Sequence, residues 1–381
     1  MRAWLAALFS LALSLGAASA SAHKQSDSYL RIAVPNEGAV LGGQWDIAIR
    51  DLDFVLGLDA NHDGVITWGE LRLAQARIAE YAFAHLSIEA LGRGDRVPCH
   101  PRLAELLVDE HVDGRYAVLN FAADCSVTPV ELNLKYSLLF DVDSTHRGLL
   151  EVSGAGLEQA QVLSREKTTV TVNVNSPDRA QQFRAFVVEG IWHILKGFDH
   201  ILFLLTLLFP AVVLYGSLGW QPRASLREAA LDVLKVVTAF TLAHSLTLSL
   251  AVLGVVHLPS RWVECGIALT VLLGALNNLR PVIAQRRWVV AFVFGLVHGF
   301  GFAAVLADLG LTGATLALSL LGFNAGVELG QLAIVAAVLP LAFLLRQTVA
   351  YRRVFMPAGA VTISVLAAYW LLTRLTATNL G

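Results

Sequence analysis

Charged residues are scarce in this sequence. Asp, Glu, Lys and Arg make up 15% of its 381 residues, and the formal net charge is -2. No basic patch or stripe stands out, so the composition gives no indication of nucleic-acid binding. Apolar residues dominate instead: 56% of the chain is hydrophobic and its mean hydropathy is +0.61. Such values are unusual for soluble domains and predict an integral membrane protein.

The N-terminus predicts a secretory signal peptide over residues 1–22. A charged start, Met1-Arg2, precedes a short apolar stretch and then the small residues of 17–22. Cleavage after Ala20 or Ala22 would leave an exported mature chain.

Cysteine is also scarce, with three residues in the whole chain. Because export would place the following region in an oxidising compartment, we predict a disulfide between Cys99 and Cys125. Cys265 lies in an apolar stretch, where a free thiol behaves as a small buried hydrophobe.

Residues 23–180 are predicted to form a mainly β, exported domain. Alternating apolar and polar runs at 28–32, 116–121, 130–140 and 168–174 are separated by Gly, Pro and Asp. A β-sandwich-like fold is the expectation.

One insertion in this domain, residues 59–70, matches an EF-hand loop at every ligand position. The predicted Ca²⁺ ligands are Asp59, Asn61, Asp63, Val65, Thr67 and Glu70. Gly64 permits the sharp turn, an exiting helix is predicted over 71–86, and the entering segment 51–58 is short. The alternative is a polar turn between a strand and a helix. A single exported EF-hand is expected to fix a fold rather than to sense calcium, because extracellular sites bind weakly.

The remainder, residues 181–381, predicts an all-α polytopic membrane bundle of about six helices. The expected spans are 186–215, 231–256, 260–279, 287–309, 314–345 and 355–375. With the N-terminal domain exported, the arginines between spans fall on the cytoplasmic side, as the positive-inside rule requires. These are Arg223, Arg227, Arg280, Arg286, Arg287, Arg346, Arg352 and Arg353.

Several ionisable side chains lie inside these apolar spans, where a charge at the helix centre costs about 2.5 to 3.5 kcal/mol on insertion scales. The predicted intramembrane metal ligands are His193, Asp199, His200, His244, His298 and Glu328. Glu264, Asn324 and Gln331 are expected to support them. Given the direction of each span, most of these residues converge on the outer half of the membrane, which predicts a shared metal or proton site.

Helical spacing adds detail to this prediction. His193 and His200 are separated by seven residues, with Gly197 between them, so both imidazoles are expected on one helix face. Asn324, Glu328 and Gln331 form one polar stripe on an otherwise apolar helix. For any single polar residue, interhelical hydrogen bonding is the alternative explanation.

Four motifs in order carry a resemblance to a known family. They are His193-x-x-x-Gly197-x-Asp199-His200, Phe240-Thr241-Leu242-Ala243-His244-Ser245, His298-Gly299-Phe300-Gly301-Phe302-Ala303 and Phe323-Asn324-x-Gly326-Val327-Glu328-Leu329-Gly330-Gln331. The chain resembles the HupE/UreJ family over roughly residues 180–345. The resemblance implies a multi-pass protein of the bacterial inner membrane associated with nickel supply to hydrogenase or urease. The predicted signal peptide would place the N-terminal domain in the periplasm.

This chain departs from the nickel-linked members in two ways. Ile194 stands where those members carry proline, and a large exported domain is added. Lys196 lies near the face of His193 and His200, where its charge would oppose a cation unless Asp199 or Glu189 pairs with it.

Two functions remain open, with a third ranked below them. The first is divalent-metal transport, with Ni²⁺ suited to an imidazole-rich site. The second is an intramembrane hydrolase in which Zn²⁺ keeps one position open for water, and Glu328 or Asp199 acts as base. The third is a membrane anchor or sensor in which the exported domain does the recognition. Lipid and metal ions are the expected partners.

Overall fold

The computed structural model describes residues 26–376 apart from 93, 112–113, 155–156, 177, 217–218 and 284–285. The predicted signal peptide lies outside the described residues. Within them, the N-terminal region is mainly β and the C-terminal region is helical.

Nine strands build the N-terminal region. They are β1 (Asp27–Ala33), β2 (Val40–Ala48), β3 (Leu86–Leu91), β4 (Arg96–His111), β5 (Gly114–Asp124), β6 (Glu131–Tyr136), β7 (Arg147–Gly154), β8 (Leu157–Leu163) and β9 (Thr169–Asn173). They hydrogen-bond in the order β8-β7-β1-β2-β5-β4-β3-β6-β9, with β1 and β7 parallel. Three of the four alternating runs read from the sequence centre on β1, β5 and β9, and the fourth, 130–140, covers β6 but continues past its end at Tyr136 into a turn.

The long strand β4 connects the two halves of this sheet. Its first residues pair with β3, and the stretch from His100 to His111 pairs with β5. The halves pack on each other: Trp45 of β2 lies 5.6 Å from Tyr136 of β6 between ring centroids, and both side chains are fully buried. Alternate residues of the strands fill the core between them. A disulfide joins Cys99 on β4 to Cys125, which directly follows β5.

Two helices lie between β2 and β3. Helix α1 (Ile49–Leu56) ends at Gly57, whose φ of 58° is left-handed, and α2 (Trp68–Ala84) begins after the capping residue Thr67. The segment 59–70 thus connects an entering helix to an exiting one.

The helical region follows β9. Its elements are α3 (Arg179–Lys196), α4 (Phe198–Leu208), α5 (Leu226–Val252), α6 (Ser260–Leu279), α7 (Arg287–His298), α8 (Ala303–Ala307), α9 (Gly313–Leu345) and α10 (Met356–Thr376). Short 3-10 turns, Phe209–Val212 and Gly299–Phe302, extend α4 and α7, and a π turn, Tyr351–Phe355, precedes α10. A small hairpin, β10 (Val213–Gly216) and β11 (Gly219–Pro222), precedes α5.

Four of these helical segments are long and apolar enough to cross a bilayer. They are Leu226–Val252, Ser260–Leu279, Gly313–Leu345 and Tyr351–Thr376. The number rises to five if α3 and the extended α4, bent by 71° to each other, form one span. The chain is therefore a membrane protein with several spanning helices.

The first and fourth expected spans differ from continuous helices. The expected span 186–215 is broken at Gly197 and ends in strand β10. In place of the expected span 287–309, the structure has a shorter apolar helix, Arg287–Phe302. This helix changes to a 3-10 turn at Gly299. Glycine lowers helix stability, and both breaks occur at a glycine.

Close backbone contacts hold the bundle together. Helix α3 packs against α9, α5 against α7, and α6 against α10. A Cβ added to Gly326 of α9 would lie 2.1 Å from the Val187 carbonyl oxygen of α3, and one added to Gly190 would lie 2.1 Å from the Phe323 carbonyl oxygen. Only hydrogen side chains allow α3 and α9 to approach this closely.

The β region docks onto the helical region through apolar and charged contacts. Tyr29, Tyr116 and Leu149 join one buried cluster with Phe302 and Phe323. Arg31 donates to the Asp308 carbonyl oxygen at 2.6 Å. The docking surface thus reaches the same helices that carry the intramembrane histidines.

Candidate metal centre

Three histidines from three helices meet in one place. His193 lies near the end of α3, His200 in the first turn of α4, and His244 in the second half of α5. One ring nitrogen of each lies within 4.8 Å of the other two. This group, His193, His200 and His244, is called the triad below. It is the only cluster of three or more His, Cys, Asp or Glu with metal-binding spacing among the described residues.

The triad nitrogens that remain unpaired are the Nε2 atoms. Nε2 of His193, His200 and His244 is buried and has no hydrogen-bond partner in the structure. A buried polar atom without a partner is costly, and native proteins rarely leave one so. Because the three rings lie close together, these unpaired atoms are explained if the triad holds a cation, since neutral imidazole is a common metal ligand.

The opposite nitrogens of two triad rings are fixed by neighbouring side chains. His200 Nδ1 lies 3.0 Å from Asp199 Oδ1, and His244 Nδ1 lies 3.2 Å from Asn324 Oδ1. Asn324 in turn donates its amide to the Leu320 carbonyl oxygen at 2.8 Å, which leaves Oδ1 facing the imidazole. A proton held on Nδ1 by an acceptor directs the Nε2 lone pair toward the centre.

Gly197 makes the approach of His193 and His200 possible. The two rings lie 4.6 Å apart because the chain bends at Gly197, not because they share the face of a continuous helix as the spacing predicted. A Cβ at position 197 would lie 2.7 Å from the His193 carbonyl oxygen and 2.8 Å from His200 Nδ1. The bend therefore requires glycine for space.

The other predicted ligands lie around the triad rather than in it. The His298 ring is 5.2 Å from that of His200, its Nε2 lies 2.9 Å from Thr270 Oγ1, and its buried Nδ1 has no partner. Glu328 accepts a hydrogen bond from Thr238 at 2.9 Å. Thus Asp199 orients a triad ring, His298 lies beside one, and Glu328 connects α9 to α5.

Two of the predicted supporting residues make separate contacts. Gln331 is buried and accepts from Thr241 at 3.3 Å. Glu264 accepts from Ser260 at 3.1 Å and lies 3.5 Å from Arg374 of α10. Of the supporting residues, Asn324 is the one with a hydrogen-bond contact to a triad ring among those described above.

A family model described as HupE / UreJ protein matches residues 167–374. The chain belongs to the HupE/UreJ family. None of the curated proteins compared with the chain matches it. Membership relates this membrane protein to nickel or other metal transport, and the HupE/UreJ region contains the whole triad with its orienting partners.

Aromatic side chains form the walls of the site in this HupE/UreJ protein. Phe302 and Phe323 stack with ring centroids 4.5 Å apart, and the His193 ring lies 4.8 Å from Phe302 and 5.3 Å from Phe323. Phe240 lies 6.0 Å from His244. Apolar walls lower the local dielectric, which strengthens the binding of a cation to its ligands. The sequence analysis did not predict these walls, nor Thr270, although Phe240, Phe302 and Phe323 stand in the family motifs.

The EF-hand-like loop lies before the HupE/UreJ match. Asp59 accepts from the Asp63 and Gly64 amides at 3.2 and 2.8 Å, Asn61 from the Asp63 amide at 2.9 Å, and Asp63 from the Val65 amide at 2.8 Å. Glu70 accepts from the Ala60 amide at 3.1 Å and the Thr67 amide at 2.9 Å. Hydrogen bonds from Thr67 hold the pKa of Glu70 below its ordinary value. The loop therefore keeps an ionised carboxylate at its twelfth position.

Proposed function

We propose that this protein transports a divalent transition-metal ion of the nickel type across the inner membrane, with the triad as its binding site. The observation that supports this most is the clustering of the triad, in which each ring has a buried Nε2 without a hydrogen-bond partner. Imidazole nitrogens suit Ni²⁺, Co²⁺ and Zn²⁺, whereas Mg²⁺ and Ca²⁺ prefer oxygen. In this proposal, the ion is the transported substrate.

The proposed topology has six spans and a periplasmic β domain. In it, the apolar helix Arg287–Phe302 and α8 together supply the fourth span, and the bent pair α3 and α4 supplies the first. Support comes from the arginines at one end of the bundle, which include Arg223, Arg287 and Arg346, and from the β domain at the other end.

Polar pairs between α5 and α9 support movement of the ion inward from the triad. Beyond the His244–Asn324 contact, Thr241 bonds Gln331 and Thr238 bonds Glu328. These pairs follow α5 toward its N-terminal end, which is cytoplasmic in the proposed topology. A closed site for a resident metal has no need of such a polar interface. Interhelical hydrogen bonds of this kind are weak enough, about 0.6 kcal/mol each on average, to open during transport.

The test is metal uptake by purified protein in liposomes. Wild-type protein is expected to accumulate Ni²⁺, and His244→Ala is expected to lose that activity. The matched control is His257→Ala, since His257 is an exposed histidine between α5 and α6. If wild-type protein moves none of Ni²⁺, Co²⁺ and Zn²⁺, transport is refuted.

A second candidate, an intramembrane zinc hydrolase, is favoured by one observation. Three histidine ligands with an open fourth position are the usual set of catalytic zinc sites, and His193 also lines a cavity of about 490 Å³. Such an enzyme would keep stoichiometric zinc that does not exchange, and it would hydrolyse a substrate without moving metal. Rapid exchange of bound metal against added ⁶³Ni²⁺ would exclude it.

For the exported domain we propose Ca²⁺ binding by residues 59–70. The support is the complete set of oxygen-bearing side chains, together with helices on both sides of the loop. Calcium there would stabilise the junction of α1 and α2 rather than take part in transport.

A further inference from the structure

A cavity of about 490 Å³ lies between the β region and helix α3. The β region contributes residues around Arg147 and Lys167, and α3 contributes Arg184, Trp192, His193 and Lys196. Because His193 belongs to both the triad and the cavity wall, the cavity lies directly beside the metal centre. Its volume is that of a small-molecule pocket, roughly 300 to 1,000 Å³, and far exceeds that of a single water, about 30 Å³ in the liquid.

Basic side chains exceed acidic ones in the cavity wall. The basic residues are Arg147, Lys167, Arg184 and Lys196, and the acidic ones are Glu166 and Glu189. Arg147 is already neutralised, since it forms a two-pronged pair with Asp27 at 2.8 and 3.0 Å and lies 3.4 Å from Glu189. The other three basic residues therefore face one remaining carboxylate, that of Glu166.

The three other basic side chains have no ion-pair partner in the part of the chain that the structure describes. Lys196 lies over the Trp192 indole at 5.1 Å and does not pair with Asp199 or Glu189. Lys167 donates to the amide oxygen of Gln161 at 2.8 Å, and Arg184 is exposed. Their charges are thus available to a ligand in the cavity.

The net positive charge of the cavity wall disfavours a free divalent metal ion but suits an anion. Like charges would raise the energy of free Ni²⁺ next to Lys196. Ammonium and guanidinium groups bind carboxylates through charge-assisted hydrogen bonds. A complex between the metal and a ligand with several carboxylates has a net negative charge. The cavity would therefore attract this complex, although it repels the free metal ion.

We propose that this cavity binds a small polycarboxylate anion and that the metal reaches His193 as an anionic chelate of it. The proposal rests on the triad's proposed role in metal binding. At the boundary of cavity and triad, metal–oxygen bonds to carboxylates break as metal–nitrogen bonds to Nε2 atoms form. No electrons are transferred, the carboxylates keep their negative charge, and the basic side chains hold the released anion.

Calorimetry on the purified full chain in detergent tests this proposal with three probes: citrate alone, the nickel–citrate complex and NiCl₂. Wild-type protein is expected to bind citrate without metal and to bind the complex more tightly. Lys196→Gln and Arg184→Gln are each expected to weaken both affinities by about tenfold, the effect of losing one charge-assisted contact. The control Arg179→Gln removes a charge from the first residue of α3, outside the cavity, and should leave both unchanged.

The outcomes separate this proposal from the triad's function. Binding of NiCl₂ that is lost in His244→Ala, without any binding of citrate or its complex, would overturn the anion site and leave the triad intact. Binding of citrate but not of the complex would overturn the carrier role. Binding of citrate and the complex with equal affinity in wild-type protein and in His244→Ala would support the anion site and refute the triad. Equal effects of Arg179→Gln and Lys196→Gln would show nonspecific charge attraction and overturn the cavity assignment.

Discussion

At the scale of single residues, the triad depends on the nitrogens that face away from it. Asp199 and Asn324 hold Nδ1 of His200 and His244, so Nε2 of each ring is left unpaired. Sequence alone named both residues but gave Asp199 the role of a ligand. Its contact with the neighbouring imidazole makes it an orienting group in this structure, a role that such carboxylates commonly have at metal sites.

We expect Asn324→Ala to weaken Ni²⁺ binding by about 10- to 100-fold, because the His244 ring would lose the acceptor that orients it. His244→Ala should abolish tight binding. Calorimetry with NiCl₂ measures both. Ser364→Ala is a matched control, since it removes a polar atom that bonds only to its own helix, at the Ala360 carbonyl oxygen. Unchanged affinity in Asn324→Ala would contradict the orienting role.

We expect Gly197→Ala to impair metal binding without unfolding the protein. The added methyl would meet the His193 carbonyl oxygen and His200 Nδ1, both closer than 3.0 Å, so the two rings would have to separate. Gly216→Ala is the control, since nothing lies within 4 Å of a Cβ there. Nickel affinity and thermal unfolding, measured together, distinguish a displaced ligand from a misfolded chain.

At the scale of elements, the contact between α3 and α9 holds His193 beside Phe323. Gly190 and Gly326 let the two backbones meet, and Gly322 faces Phe183 in the same interface. The membrane supplies no hydrophobic force between helices, so close packing of small residues has to provide much of the association.

We expect Gly326→Leu to destabilise the bundle strongly, because backbone atoms of α3 block the new side chain. The loss of stability should exceed the range typical of overpacking, which is about 1 to 3 kcal/mol. Gly359→Leu is the milder comparison, since a Cβ there meets only the Phe209 ring. Unfolding in a denaturing detergent measures both. Equal stability of the two variants would show that α3 can move away from α9 without cost.

In the loop at 59–70, the side chain of Glu70 has two roles. Glu70 caps α2 together with Thr67 and also occupies the twelfth position of the loop. We expect Glu70→Gln to abolish Ca²⁺ binding, measured by terbium luminescence sensitised by Trp68, which lies within the loop. Glu80→Gln, an exposed change on the same helix, is the control. A terbium signal that does not decrease when Ca²⁺ is added would contradict the calcium assignment.

At the scale of the whole molecule, His111 connects the two regions. Its Nδ1 lies 3.0 Å from Asp308 in the helical region and its Nε2 lies 3.3 Å from Asp46 of β2, while Tyr29 and Tyr116 contact its ring. Burial alone would lower the pKa of His111, but the hydrogen bond to Asp308 and the negative charges of Asp308 and Asp46 outweigh it and raise the pKa to about 9.

The docking of the two regions is therefore expected to depend on pH. A raised pKa means that the stabilising charge is fully present below the unfolded pKa near 6.5 and is lost as pH rises through about 9. As the pH rises from about 6.5 to about 9, we expect the free energy that stabilises the interface to fall by on the order of 1 to 3 kcal/mol. Hydrogen exchange of β1 and β2 measures this, and His111→Gln should remove the dependence. A wild-type profile that is flat over this range would refute it.

The sequence by itself determined features that depend on local composition and spacing. Membrane character, the β-rich N-terminal region, the pattern of the loop at 59–70 and the family motifs follow from hydropathy, alternation and residue order, which do not require knowledge of the partners in space. The ends of α6 and α9 agree with the predicted spans for the same reason, because a long apolar run bounded by polar residues defines its own length.

Only the tertiary structure decided which of the intramembrane residues meet. His193, His200 and His244 come from three helices, and their convergence depends on a bend at Gly197 and on glycine contacts between α3 and α9. His244 lies 44 positions after His200 and is brought beside it by packing, whereas helical periodicity describes only one helix at a time. The same reason explains why the basic cavity and the Asp46–His111–Asp308 contact were not predicted: each needs the two regions of the protein docked together.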